Sequence, residues 1–481
     1  MNKQWHVVIG LEVHAQLTTQ SKLFSKSSTK YGAKPNKNAS YVDCALPGTL
    51  PVLNKEAVKQ AIRFGLVTNS KIQNRISFDR KNYHYPDLPK GYQITQHYHP
   101  ILIGGHIDIK TDNGEKRIHI HHSHLEEDAG KSNHEYSKTS TGIDLNRAGM
   151  PLLEIVSEPE IRSPKEAVAY IKELHKLIFF FDICDGNMQE GSMRIDVNIS
   201  LRESNDAPFG TKVEIKNINS FKFVEKALNY EIDRQADILE NGGTIEQETR
   251  LFNEQTGTTI HMRGKEDAHD YRYHKDPDIP YIIIDDSTIA EIKNSMPESP
   301  SDKAKRYIEE HSLSEYDAGI ISQDKTFSAL FDSVITTKKC TPKILANWIL
   351  GPIAEATNKT EKALTETGIT PEQIANLLAM IDSGKTSNNN AKLIFEKMWI
   401  SGKDPETIIR EEGLEEVSDE KSIEKIIHAV LEENSPQLEQ YKNGNVKLLG
   451  YFVGQVMKKG KGKINPKIAN AVLKKVLATH K

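Results

Sequence analysis

The sequence predicts an α+β fold: an N-terminal domain in which helices accompany an antiparallel sheet, then an all-α middle domain and a small helical tail domain. Three observations predict it. Segments within the first 290 or so residues alternate apolar and polar side chains with period two, the pattern of half-buried strands. Two long amphipathic stretches with recognisable ends interrupt those segments. After Met296-Pro297-Glu298-Ser299-Pro300 the alternation fades and short amphipathic helices take over. A chain of 481 residues should hold roughly three domains at about 150 residues each. The expected spans are 1–295, 296–403 and 404–481.

The clearest strand is Val7–Leu17, where Val7, Ile9, Leu11, Val13, Ala15 and Leu17 are apolar and Glu12, His14 and Gln16 fall between them. Arg194–Arg202 repeats the pattern, with Ile195, Val197, Ile199 and Leu201 opposed to Asp196, Asn198 and Ser200. Lys212–Lys216 sets Val213 and Ile215 against Lys212, Glu214 and Lys216. Strands of this kind form an antiparallel sheet buried on one face. Ser163-Pro164-Lys165-Glu166 reads as a capping box with proline in the first turn, opening a helix through Ile171, Leu174 and Leu177. A second helix begins near Ser220 and stops at Gly242-Gly243. Beyond the middle domain, with its helix Pro371–Ile381, a break near Ser401–Pro405 precedes helices at 422–432, 446–458 and 466–475.

Composition narrows the class. With 37% apolar and 27% charged residues, neither wholesale disorder nor a fibrous rod is expected. No apolar run approaches the ~18 residues of a membrane span, and Leu177–Ile183, the longest suspect, carries Asp182. Met1–Trp5 leads straight into an alternating segment, so no signal or transit segment and a cytoplasmic location are expected. Three scattered cysteines, Cys44, Cys184 and Cys340, form neither a disulfide framework nor a metal knuckle. The net charge of −4 hides an asymmetry: 401–440 holds 12 acidic and 4 basic residues, whereas 441–481 holds 10 lysines and no Asp, Glu or Arg. Such a stripe suits a phosphate backbone, and it equally suits a solvated face.

The polar strand faces carry the chemistry. Glu12 and His14 are two residues apart and point the same way, as do Asp196 and Asn198; Glu214 lies between Lys212 and Lys216. Carboxylates and an imidazole on an open face suit a hard cation such as Mg²⁺, although an ordinary wet face also scatters acids. His119–Asp128 is dense in ligand types, and in a strand His122, His124 and Glu126 share a face. The histidine spacing matches no zinc template, and an ordinary strand face is favoured for them. Glu126-Glu127-Asp128 is less easily dismissed, because three adjacent acids repel one another unless screened. Gly130-Lys131-Ser132 lacks the earlier glycine of a phosphate loop, since that position is Leu125. Phe78–Tyr98 interleaves tyrosines with Arg80, Lys81 and Lys90, and Asp270–His274 is a second such cluster. Both suit an unstacked RNA end, and both suit a buried loop with satisfied hydroxyls.

Taken in order, these segments closely resemble the B subunit of the tRNA-dependent aspartyl/glutamyl amidotransferases. The resemblance rests on VIGLEVHAQL (8–17), FDRKNYHYPDLPKGYQITQ (78–96), HLEEDAGKS (124–132), DLNRAGMPLLEIVSEPEIRSPKEA (144–167), EGSMRIDVNISLR (190–202), FGTKVEIKNINSF (209–221), DYRYHKDPDIP (270–280) and LLGYFVGQVMKKGKGKINP (448–466). It implies a cradle-shaped catalytic domain, a helical domain and a tail that touches tRNA. It implies ATP-dependent amidation of tRNA mischarged with Glu or Asp: the side-chain carboxylate is phosphorylated, and ammonia displaces the phosphate. The ammonia would come through a channel from an amidase-type glutaminase, the A subunit, with a small C subunit holding the complex together. The Mg²⁺ set it implies is Glu12, His14, Glu127, Asp196 and Glu214, with Glu126 as the alternate to Glu127. Arg80, Lys81, Lys131, Arg194 and Lys212 are the cations expected around ATP.

One departure concerns zinc. Some relatives carry a four-cysteine knuckle at about 27–48, but Ser27–Pro47 contains only Cys44, so no structural zinc is expected. At Tyr273 the following residues, His274-Lys275-Asp276-Pro277, also depart from the aromatic and Pro-Glu-Pro often found there. Two rival readings are a metal-dependent ATP ligase acting on free Glu or Asp, and a non-catalytic tRNA-binding scaffold. The acids on three strand faces weigh against the scaffold, since binding phosphate has no use for them.

Overall fold

The computed structural model describes residues 5–264, 270–360, 362, 364–413, 420–442, 445, 448–460, 464 and 466–479. Two compact units divide the chain, Met1–Pro297 and Glu298–Lys481. The first is sheet-rich and the second helical, which makes the protein α+β.

Thirteen strands of the first unit bear on the site. They are β1 (His6–Gln16), β2 (Lys71–Ile72), β3 (Asp79–Asn82), β4 (Tyr92–Thr95), β5 (Leu102–Ile103), β6 (His106–Thr111), β7 (Gly114–Glu127), β8 (Pro151–Ser157), β9 (Met193–Arg202), β10 (Val213–Ile218), β11 (Glu248–Asn253), β12 (Thr258–Gly264) and β13 (His274–Lys275). The main sheet runs β12-β11-β10-β9-β1-β8-β7-β5-β2, with β6 also paired to β7; a small sheet runs β13-β3-β4. All main-sheet neighbours are antiparallel except β10 and β11.

The apolar positions read from the sequence form one face. Ile9, Leu11, Val13 and Ala15 of β1 join Ile195, Val197 and Ile199 of β9 and Val213 and Ile215 of β10 in a single core. Helix α1 (Lys55–Val67) also enters that core, through Ala57, Ala61, Ile62 and Phe64. Helices α2 (Pro164–Phe180) and α3 (Phe221–Glu240) complete it with Tyr170, Ile171, Leu174 and Ile178, and with Val224, Ala227 and Leu228. Burying a side chain of this size contributes about 1.5–3 kcal/mol. A one-residue slip of β1 would turn its whole apolar set away from the helices, so the core locks the register.

Both helix starts lie where the sequence placed them. Ser163 accepts from Glu166 N at 3.2 Å and Ser220 from Phe223 N at 3.2 Å. Only half of the capping box at Ser163 forms, because the Glu166 carboxylate accepts instead from Arg162 N at 2.8 Å and from Lys116 Nζ at 2.7 Å.

The 20–50 segment, cysteine-poor in this chain, is gathered on a carboxylate. Asp43 accepts from Ser25 Oγ (3.0 Å), Ser27 Oγ (2.8 Å), Ser40 N (2.7 Å) and Ser40 Oγ (2.9 Å). It also faces Lys22 Nζ at 3.4 Å. Lys22 is fully buried; burial lowers its pKa, against the pull of Asp43. Gly149, at φ 82°, comes so close that a Cβ there would sit 2.8 Å from Asp43 Oδ1.

In the second unit, helices from Pro300–His311 to Pro405–Glu412 share one core that includes Tyr307, Phe331, Trp348 and Phe395. Ile408 belongs to it, so the helix after Pro405 packs with the middle helices, although the sequence-based boundary lies at 404. Ile423, Ile427, Phe452, Val456 and Leu473 form a separate core. No helix among the described residues is long and apolar enough to cross a membrane. Of the tail lysines, Lys447, Lys461, Lys463 and Lys481 lie outside the described residues.

Asp43→Ala should destabilise the first unit by about 3–5 kcal/mol, because it strands a buried ammonium. In urea titrations, Lys22→Met combined with Asp43→Asn should recover part of that loss, since no unpaired buried charge remains.

Candidate functional site

Period-two alternation places the even-numbered residues of β1 on the face opposite the helices, and sheet pairing lines up acids from distant segments beside them. Glu12 is opposite Asp196 of β9, and His14 lies between Glu154 of β8 and Arg194 of β9. Glu154 in turn faces His124 of β7. One rung of the sheet therefore reads His124, Glu154, His14, Arg194. Asn198 is opposite Glu214 of β10, which extends the polar face by one more strand.

The side chains converge. His14 Nε2 lies 3.2 Å from Glu154 Oε2, 3.4 Å from Glu126 Oε1 and 3.9 Å from Glu12 Oε1. His124 Nε2 lies 3.6 Å from both Glu126 Oε2 and Glu154 Oε2. Two imidazoles and two carboxylates thus alternate in a ring. Lys216 Nζ ties Asp196 (2.5 Å) to Glu214 (3.0 Å), and Thr249 Oγ1 donates to Glu214 at 2.8 Å.

These contacts set the charges. Burial opposes ionisation of Glu126, but His124 and His14 hold its carboxyl well below the usual range. Burial likewise opposes a charge on His14, yet Glu126 and Glu154 hold the imidazolium well above its ordinary pKa. Glu12 is the exception: burial, then Glu154 and Asp196, outweigh His14 and Lys216 and push its carboxyl up to about 7. His122 stacks on His124 at 5.3 Å and 8°; burial, then His124 and His121, push its imidazole down to about 4.

Among the sequence-predicted residues, Glu12, His14, Glu126, Asp196 and Glu214 share this face. Glu127 does not. As the neighbour of Glu126 on one strand it points the other way, where it accepts from Lys90 Nζ and from Ile94 N (2.9 Å). The cations separate by the same rule. Burial works against the charge of Lys81, but Glu126 raises its pKa, as do Tyr273, Tyr271 and Glu154. Arg194 pairs with Asp128 at 3.0 Å, and its pKa is raised, against burial, by Asp128, Glu126 and Asp196. Arg80, next to Lys81, instead pairs with Asp276 and Asp278 at 2.8 Å each and lies over Tyr92. Lys131 is exposed on the short strand Lys131–Asn133, outside the main sheet. Lys212 is exposed and lines a cleft of about 530 Å³ with Gly10, Asn198 and Phe209. That cleft adjoins the acids on three strands, because Gly10, Asn198 and Lys212 are each two residues from Glu12, Asp196 and Glu214.

Sequence reasoning missed Glu154 as a site residue. Its signal was present, a lone acid in PLLEIVS where Leu153 and Ile155 alternate with it, but the strand itself was not assigned. The pairing of β13 with β3 also joins the two aromatic clusters. His97 stacks on Tyr273 at 4.0 Å, Tyr83 meets Tyr271 at 6.1 Å, and Tyr85 and Tyr98 stay 55% and 56% exposed.

Among the described residues, donor groups lie within 4.8 Å of one another in three sets: Glu12, His14 and Asp196; His14, Glu126 and Glu154; and His122, His124 and Glu154. Carboxylate oxygens are the majority in the first two. That fits a hard divalent cation, and the crowding of Glu12, Glu126, Glu154 and Asp196 around one imidazole supplies its oxygen donors.

Comparison with known proteins adds a family. Residues 7–290 match the model of the GatB/GatE catalytic domain, and residues 329–477 match that of the GatB domain. The B subunit of the aspartyl/glutamyl-tRNA(Asn/Gln) amidotransferase of Alkalilimnicola ehrlichii is 50% identical over 98% of this chain and 99% of its own length. Proteins of the same name from Nitrosococcus oceani and Coxiella burnetii are 51% and 52% identical, over 99% and 98% of this chain and all of their own length.

In metal-free protein the contribution of Glu12 to stability should fall as pH rises from about 4.5 to 7. A carboxyl whose folded pKa is raised stabilises the fold below its unfolded pKa, and that contribution is lost as pH climbs through about 7. Glu12→Gln should therefore flatten the fall of melting temperature with pH and gain on the order of 2 kcal/mol over wild type at pH 8.

Proposed function

The chain belongs to the family of aspartyl/glutamyl-tRNA amidotransferase B subunits, and from that membership we propose that it amidates the mischarged amino acid of Glu-tRNA(Gln) or Asp-tRNA(Asn) at the expense of ATP. The observation that carries this reading is the convergence of Glu12, His14, Glu126, Asp196 and Glu214, drawn from four strands, on one sheet face.

The chemistry explains why such a face is needed. A carboxylate resists attack by ammonia because its carbonyl is weakly electrophilic and its leaving group would be oxide. Phosphorylation by ATP turns that oxygen into phosphate, and ammonia then displaces it to give the amide. Bringing a carboxylate and a triphosphate together takes positioning and charge neutralisation more than covalent help. Glu12, His14 and Asp196, with Glu126 and Glu154 beside them, would hold Mg²⁺, which when bound supplies positive charge to the phosphates. Lys216 fixes the Asp196 and Glu214 carboxylates, while Lys81 and Arg194 offer fixed positive charge to the two reacting anions. The adjoining cleft has the volume of a small-molecule subsite. The exposed Tyr85 and Tyr98 suit stacking with the unpaired end of tRNA. No nucleophilic side chain is required; Cys184 is buried, with its thiol pushed up to about 12.

The ammonia would come through a channel from an amidase-type glutaminase, the A subunit, with a small C subunit completing the complex. The tail lysines would carry phosphate contacts to tRNA.

In the reconstituted complex, Glu12→Ala or Glu214→Ala should reduce tRNA-dependent amide formation at least ~100-fold while glutamine hydrolysis by the partner persists. Wild-type rates of Gln-tRNA or Asn-tRNA synthesis would refute the site, and amidation of free Glu or Asp would favour a small-molecule ligase. Removing residues 414–481, which spares the Ile408 packing, should weaken tRNA binding and make it less salt-dependent. The gap to the full chain should narrow as salt rises, and equal affinities across a salt series would exclude the tail.

A further inference from the structure

The third donor set differs in kind from the other two. His122 and His124 are two residues apart on β7 and face the same way, and Glu154 stands across from His124 on β8. One ligand atom from each lies within 4.8 Å of the others. This set shares no residue with Glu12, His14 and Asp196 and only Glu154 with the set of His14, Glu126 and Glu154, and nitrogen rather than oxygen is its majority donor.

Two further observations separate it from histidines scattered on a wet strand. The His124 side chain is only 10% exposed, and its Nδ1 is buried without a hydrogen-bond partner, so the fold does not use that ring's full bonding capacity. His121 Nδ1 lies 2.7 Å from His122 Nδ1, an outer contact of the sort that orients a ligating imidazole. By contrast His119 is turned out to Glu160, 3.0 Å away and 38% exposed.

We infer that His122, His124 and Glu154 form a second cation site, joined to the oxygen-rich one through the shared Glu154 carboxylate, that takes a borderline transition-metal dication such as Zn²⁺. Two imidazoles and one carboxylate suit such an ion far better than Mg²⁺, which prefers oxygen and parts reluctantly with water. Three protein ligands leave a tetrahedral ion one exchangeable position. The site uses the Glu154 carboxylate and adjoins that of Glu126, so an ion there would relieve the same crowding from its other side. The inference stands apart from the amidation reading, because it concerns binding of the metal alone.

The test titrates the metal-free full chain with Co²⁺ in buffer containing excess Mg²⁺, following visible absorption. One equivalent of Co²⁺ should bind despite the Mg²⁺. His122→Gln should weaken it about tenfold or more, while Glu12→Gln leaves it unchanged. His122→Cys should bind Co²⁺ and add a near-ultraviolet thiolate-to-cobalt band, a positive signal that does not depend on loss of function. The inference is overturned if wild type binds no Co²⁺ against Mg²⁺, if His122→Gln binds it as wild type does, if Glu12→Gln loses it, or if the His122→Cys band is missing.

Discussion

Carboxylates crowded on one face of a sheet repel each other, and the first unit is organised around compensating that repulsion. His14 and His124 sit between Glu126 and Glu154, Lys216 sits between Asp196 and Glu214, and Arg194 holds Asp128. Burial opposes the charge of Glu126, Glu154 and Glu214, yet the neighbouring His14, His124 and Lys216 hold those carboxyls below their ordinary range. Burial above all, with Glu154 and Asp196 adding to it, pushes the Glu12 carboxyl up to about 7. The face is therefore a graded array, with Glu126, Glu154 and Glu214 held anionic by close cations and Glu12 more proton-retaining because burial outweighs its cations.

That array is held in place by the opposite side of the same strands. Ile9, Leu11 and Val13 are buried in the core that α2 and α3 also enter, and their burial decides which residues of β1 face the acids. Function and stability meet in one strand because alternate residues serve different faces. The 20–50 segment illustrates a related economy: one buried carboxylate, Asp43, gathers three serines and a lysine.

The sequence was most informative where local pattern suffices. Strands at Val7–Leu17 and Arg194–Arg202 and helices opening at Ser163 and Ser220 lie within a residue or so of their structural positions, because alternation and N-capping are short-range properties. It was least informative about pairing. Arg80 and Lys81 look equivalent in a row of cations, yet one is spent on Asp276 and Asp278 and only the other faces Glu126. Glu154 was overlooked because its strand carries a single polar residue between apolar neighbours.

Adjacent residues make the division clearest. Alternation along a strand fixes that Glu126 and Glu127 face opposite ways, but not which of them meets His14. That choice belongs to the sheet, where β7 pairs with β8 and β8 with β1 across gaps of roughly 30 to 140 residues. Composition, caps and periodicity were enough for the fold class and for the residue types at the site. Partnership between charges required the assembled structure, because Coulomb energy depends on separation in space and the chain's order says little about that.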